Sequence, residues 1–208
     1  TGAVSVPGTV GTDIGTLTVT DSGGATFGGA VGADLDRIAS LALTGTTGTI
    51  QFSDTLYATA VTNAGGSFDL NLYGAATAVT GAVSFGTSGT VRFGNGADGL
   101  TFTGGLTHTA GPNALNGTVS ATNTAIDLNS VTTVGGNSTV AAGTGQISLG
   151  ATTLSDSVAL ILGTGGSGGV TVASLAGTAA GAASNVTFNV TGAVSVPGTV
   201  GTDIGTLT

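Results

Sequence analysis

The chain has 208 residues, a formal net charge of −8 and only 6% charged residues. Forty Gly and forty Thr stand beside ten Asp and two Arg (Arg37 and Arg92), and there is no Lys, Glu, Cys, Met or Trp. This composition offers no cationic patch for nucleic acid or for an anionic membrane surface, and no thiol for a disulfide or a thiolate metal site.

The Gly content does not make the chain disordered, because 40% of residues are apolar and the mean hydropathy is +0.49. A disordered chain is poor in Val, Ile, Leu and Phe and rich in charge. Abundant Val, Ile and Thr favour strands, and Gly and Asn supply the positive φ angles of tight turns. The scarcity of Ala-Glu-Lys-Leu-Arg runs argues against helix.

The first element is also the last. Residues 1–18 read TGAVSVPGTVGTDIGTLT, and residues 191–208 read the same without a mismatch. Residues 1–190 are therefore one full period of a tandem repeat, and 191–208 begin the next identical period. Chains built this way add length rather than chemistry.

Between the two copies the pattern is short apolar-x-apolar alternation, the period-2 signature of half-buried strands. In chain order it falls at Val4/Val6, Leu17/Val19, Ala25/Phe27, Leu41/Leu43, Ile50/Phe52 and Phe68/Leu70/Leu72. It continues at Val83/Phe85, Val91/Phe93, Leu100/Phe102, Val119/Ala121 and Ile126/Leu128. The last cases are Ile147/Leu149, Val158/Leu160/Leu162, Val170/Val172 and Val186/Phe188/Val190, before the second copy restarts at Val194/Val196. These are expected to be strands of three to five residues, with Gly-rich turns such as Gly94-Asn95-Gly96 and Gly135-Gly136-Asn137 between them.

Very short strands, 4% aromatics and no Trp fit a narrow coil better than a thick sandwich core. No linker divides the period, since Pro7, Pro112 and Pro197 do not fall at two domain junctions. The expected fold is all-β, a parallel β-helix (β-solenoid) continuous across the tandem repeats. At about 20–25 residues per coil, a period would hold about 8–9 coils and rise about 40 Å. The competing fold is a pair of immunoglobulin-like sandwiches per period. Residues Asp34 to Leu41 carry helix-like spacing, but a charged loop leading into a strand at Ser40–Leu43 is preferred.

No residue set rises to a catalytic, cofactor-binding or metal site. Asp34 and Asp36 are the closest carboxylate pair, too little for polysaccharide cleavage. Tyr57, Tyr73 and Phe68 are the only visible candidates for a binding patch, and Phe68 reads as core. Gly94 to Leu100 matches most of the calcium nonapeptide GGxGxDxUx, but Phe93 replaces its first Gly and no tandem copy follows. It reads instead as a turn closed by Asp98. His108, the single His, lacks a second ligand or a positioned nucleophile and is expected to be exposed on a strand or loop. Thr-x-Thr at Thr16/Thr18/Thr20, Thr101/Thr103, Thr107/Thr109 and Thr122/Thr124 is too irregular for an ice-ordering face. Asn116, Asn137 and Asn185 sit in N-glycan acceptor patterns that this Asn and Thr content makes weak.

Phrases such as Leu17-Thr18-Val19-Thr20-Asp21-Ser22-Gly23-Gly24-Ala25-Thr26-Phe27 and Gly99-Leu100-Thr101-Phe102-Thr103-Gly104-Gly105-Leu106 resemble the β-strand repeats of giant repetitive bacterial exoproteins. Those are the large adhesins related to filamentous haemagglutinin. The resemblance covers essentially the whole chain. It implies a right-handed parallel β-helix, secretion and a rigid surface fibre or adhesin shaft, and it brings no functional residues.

The expected role is a non-catalytic structural segment of an extracellular, cell-surface filament or stalk. Its partners would be copies of itself along the fibre and laterally between fibres, with no nucleic acid and no membrane span. The alternative is an adhesin module whose exposed face takes a surface glycan or protein. No signal peptide appears, but for a stretch inside a repeat array that absence means little.

Overall fold

Alternating side chains send one residue inward and the next to solvent, so each short strand needs a partner above and below and a shared interior beside it. The computed structural model, which describes residues 2–11, 13–20, 22–179 and 181–208, meets both needs with a β-solenoid of about ten turns. Thr1 and Thr12 of the repeated stretch, and Asp21 of the Leu17–Phe27 phrase, lie outside the described residues. Among the described residues there are 21 strands and no helix, and all strand pairings are parallel. The sandwich alternative falls with that observation, because sandwiches are antiparallel.

Three ladders run along the solenoid, one per side. The first passes through Val4, Ala25, Ile50, Leu70, Val91, Asn113, Thr132, Thr152, Leu175 and Val200. The second passes through Val10, Val31, Leu56, Thr77, Leu100, Val119, Val140, Leu162 and Phe188. The third begins Leu17, Leu41, Val61 and resumes Val83, Leu106, Ile126, Ile147, Val170, Val194. Between Val61 and Val83 regular pairing lapses, and the Gly86 amide donates to Asn63 Oδ1 at 2.7 Å instead. Circuits differ in length: a short one runs from Asn113 to Thr132 and a long one from Ala25 to Ile50, both close to the expected coil size.

The interior is one continuous apolar column. Phe27 and Phe52 stack with ring centroids 4.8 Å apart, and Phe85, Phe93 and Phe102 form a tilted and edge-to-face cluster at 6.2–6.4 Å. Phe85, Phe93 and Phe102 come from the three sides of one circuit, Val83 to Leu106, so three converging rings fill that coil.

Corners are where Gly is needed. A Cβ on Gly150 would run into the Ser130 carbonyl of the coil below, and Gly94, at φ +81°, turns the chain between the first two sides. The corner at Gly94 lies within a single strand, Val91–Phe102, whose register shifts between Phe93 and Asp98. At 12 residues this strand exceeds the expected three to five, because the backbone keeps extended pairing on both sides of the bend. The charged segment is a loop, as preferred: Ala33 and Asp36 exchange backbone hydrogen bonds across a tight turn, Leu35 projects with 99% of its surface exposed, and a strand follows at Ile38–Thr44.

The repeated stretch folds alike in both places. Val4–Val6 and Val194–Ser195 are strands, Val10 and Val200 each form an isolated bridge, and Asp13 and Asp203 both turn at φ 60°.

Candidate functional site

The side formed by the first ladder carries the densest polar network. Outward residues Gln51, Asn71 and Arg92 occupy successive rungs. Asn71 donates through Nδ2 to Gln51 Oε1 at 3.3 Å, and Gln51 Nε2 donates to Ser53 Oγ at 2.8 Å. Arg92 Nη1 donates to Asn71 Oδ1 at 3.2 Å and meets Asp69 Oδ2 at 3.0 Å, while the Thr90 amide donates to Asp69 Oδ1 at 2.8 Å. Partial burial works to raise the Asp69 pKa, but the Thr90 amide and the Arg92 guanidinium outweigh it and hold the carboxyl below its usual range.

Beside this network is a shallow depression open to solvent, lined by Tyr73, Arg92, Asn95, Asn116 and Thr133. It continues past Asn116 to a second one bordered by Ala97, Thr118 and Asn137. Sequence reasoning named Tyr73 as a binding candidate and met Arg92, Asn95 and Asn116 only in other contexts, without bringing them together. Only the stacking of successive circuits brings Tyr73, Asn95 and Asn116 onto adjacent coils, and local pattern carries no trace of that.

The other candidates separate. Asp98 is buried and accepts a 2.7 Å hydrogen bond from the Asn95 amide, closing the Gly94 corner as a turn. No group of three or more His, Cys, Asp or Glu residues gathers among the described residues. Asp34 pairs with Arg37 at 2.7 Å, and the same guanidinium lies 5.5 Å from the Tyr57 ring centroid and donates to the Ala78 carbonyl. Phe68 is core, as expected. The Thr-x-Thr pairs form no continuous stack: Thr18 neighbours Ala42, Thr101 neighbours Ala78 and Ser120, and Thr107 neighbours Asp127, while Thr124 Oγ1 donates to the Thr103 carbonyl at 3.0 Å. Asn137 and Asn185 are exposed, and Asn137 Oδ1 accepts from the Ala159 amide.

His108 corrects the sequence expectation. It is fully buried rather than exposed, with Nδ1 2.8 Å from Asn113 Oδ1 and Nε2 3.0 Å from the Thr87 carbonyl. Asn113 Nδ2 in turn faces the carbonyls of His108 and Leu128. His108 follows the strand Leu106–Thr107 and, two residues past buried Leu106, is buried as well, and its ring is tied to two coils at once. Neither ring nitrogen faces solvent, so the residue serves as an internal polar brace.

No protein-family model, curated protein or solved structure matches this chain. No helix among the described residues is long and apolar enough to cross a membrane.

Proposed function

We propose that this chain is a structural repeat segment of an extracellular bacterial filament, stalk or surface fibre, acting as a stiff non-catalytic rod. The observation that carries this reading is the junction between periods. Residues 191–208 continue the coil over residues 170–190 through the same parallel pairing used elsewhere, Val170 to Val194 and Val186 to Leu207. A period that joins its successor by unbroken strand stacking has no linker to flex about. The surface adds to the case, since two Arg and no Lys leave almost no trypsin-like cleavage sites. Extracellular placement rests on that surface and on the resemblance to secreted repeat proteins.

The test is electron microscopy of the native fibre, located on cells with an antibody raised against this chain, beside recombinant chains of one to four periods. Straight rods of constant width that lengthen by about 42 Å per period are expected from coils at about 4.8 Å. Beaded strings, or a chain retained inside the cell, would overturn the reading.

The depression at Tyr73, Arg92 and Asn116 supports an adhesin module as the second reading, because an aromatic edge beside amide and guanidinium donors suits a neutral or acidic glycan. Saturable glycan binding that Tyr73→Ala abolishes would favour it.

A further inference from the structure

The two copies of the repeated stretch do not lie on the same sides of the solenoid. Val4 starts the first ladder, but its counterpart Val194 ends the third, on Val170. Val10 starts the second ladder, and its counterpart Val200 ends the first, on Leu175. Leu17 starts the third, and its counterpart Leu207 closes the second, on Val186. All three sides shift in the same sense. Two-thirds of a circuit separates Val4 from Leu17, and eight circuits separate Leu17 from Val194 along the third ladder. One period is therefore eight and two-thirds turns.

We infer that consecutive periods stack coil on coil with each copy displaced one side around the rod, so that only every third copy presents the same face in the same direction. This rests on the reading of the chain as a period of a continuous rod. The occupant of each open end is then defined. The apolar depression at the start of the solenoid, lined by Val4, Val6, Leu17, Val19, Ala25 and Phe27, receives the last coil of the preceding copy. Its rungs are those already formed at the other end. Val170 N donates to the Ala193 carbonyl at 2.9 Å, Leu175 N to the Thr199 carbonyl at 3.0 Å and Thr208 N to the Val186 carbonyl at 3.1 Å. Among the described residues, four of the seven exposed large apolar ones fall in the two copies of this stretch: Val4 at 47%, Val194 at 45%, Val200 at 45% and Leu207 at 48%. Stacking gives each of them a coil to pack against.

The consequence is a rod without a unique side. Any lateral contact made by the Tyr73–Arg92 depression recurs on all three sides in turn, at axial steps of about 42 Å, and on any one side at about 125 Å.

Cryo-electron microscopy of the native filament, or of a three-period chain, tests this at side-chain resolution. The Val4–Val6 strand of the second copy is expected on the ladder of Ile147 and Val170. Finding it on the ladder of Thr152 and Leu175 would mean whole turns per period and would overturn the inference while leaving the rod intact. Separate or flexibly joined particles would instead overturn the rod. A gold label on Thr133→Cys, the sole thiol in each period of a Cys-free chain, gives a second readout in the three-period chain. Labels on three sides support the inference, and a single row along one side sinks it.

Discussion

At the scale of single residues, the buried polar groups decide how the coil interior is built. His108, Asn113, Thr132 and Thr152 occupy positions that Ile, Leu or Val hold in other coils, and each is bonded across a corner. Replacing His108 by Ala leaves Asn113 Oδ1 and the Thr87 carbonyl without these partners and is expected to cost about 1–3 kcal/mol in urea unfolding. Chelator is expected to leave the fold unchanged, because neither His108 nor Asp98 is free to ligate. Asp69 behaves differently, being about one-third exposed and screened by water. Its folded pKa is depressed, so its contribution is complete above the unfolded value near 3.9 and is lost as pH falls through the folded value. Asp69→Asn is expected to cost under about 1 kcal/mol at neutral pH and less in acid, as the pH falls through the folded value, read from urea midpoints at both. An equal loss at the two pH values would remove the charge argument. These polar insertions were illegible in the sequence, because a Leu-x-His or Thr-x-Val pair breaks the apolar alternation that marks an inward face.

At the scale of the strand, that alternation was nearly sufficient. Of the apolar pairs it marks, Ala25/Phe27, Ile50/Phe52, Leu70/Leu72, Val91/Phe93 and Leu100/Phe102 all point into the column. The reason is physical: the interior is a shared apolar column, so a strand that presents two apolar side chains inward has few alternatives. Phe93→Ala removes the ring that touches both Phe85 and Phe102 and is expected to cost about 3–5 kcal/mol, measured by urea denaturation. Leu35→Ser, at a fully exposed loop tip, is expected to change stability by under about 0.5 kcal/mol. Corners were less legible than strands, since Gly marks them without fixing their length. The difference between the Asn113-to-Thr132 and Ala25-to-Ile50 circuits comes from how much chain each corner spends, and nothing in the local pattern sets that amount.

At the scale of the whole molecule, stability is a sum over neighbouring coils, so its distribution depends on what lies beyond each end. The same repeated stretch stands at both ends of this chain, with Asp13 and Asp203 both at φ 60°, each copy packed on one side only. Local opening should therefore be easiest at residues 2–18 and 191–208 and hardest near the Phe85–Phe93–Phe102 cluster. Sequence identity between the ends turns this into a controlled comparison, because composition, propensity and local hydrogen bonding are held constant. Hydrogen exchange followed by mass spectrometry on this chain and on one extended by a further period separates neighbour stacking from intrinsic preference. In the extended chain, amides of residues 191–208 are expected to slow to interior rates while those of residues 2–18 stay fast. If both copies exchange at the same rate in both chains, protection is a property of the repeated stretch itself. Coil-on-coil stacking would then not be what carries the rod from one period to the next.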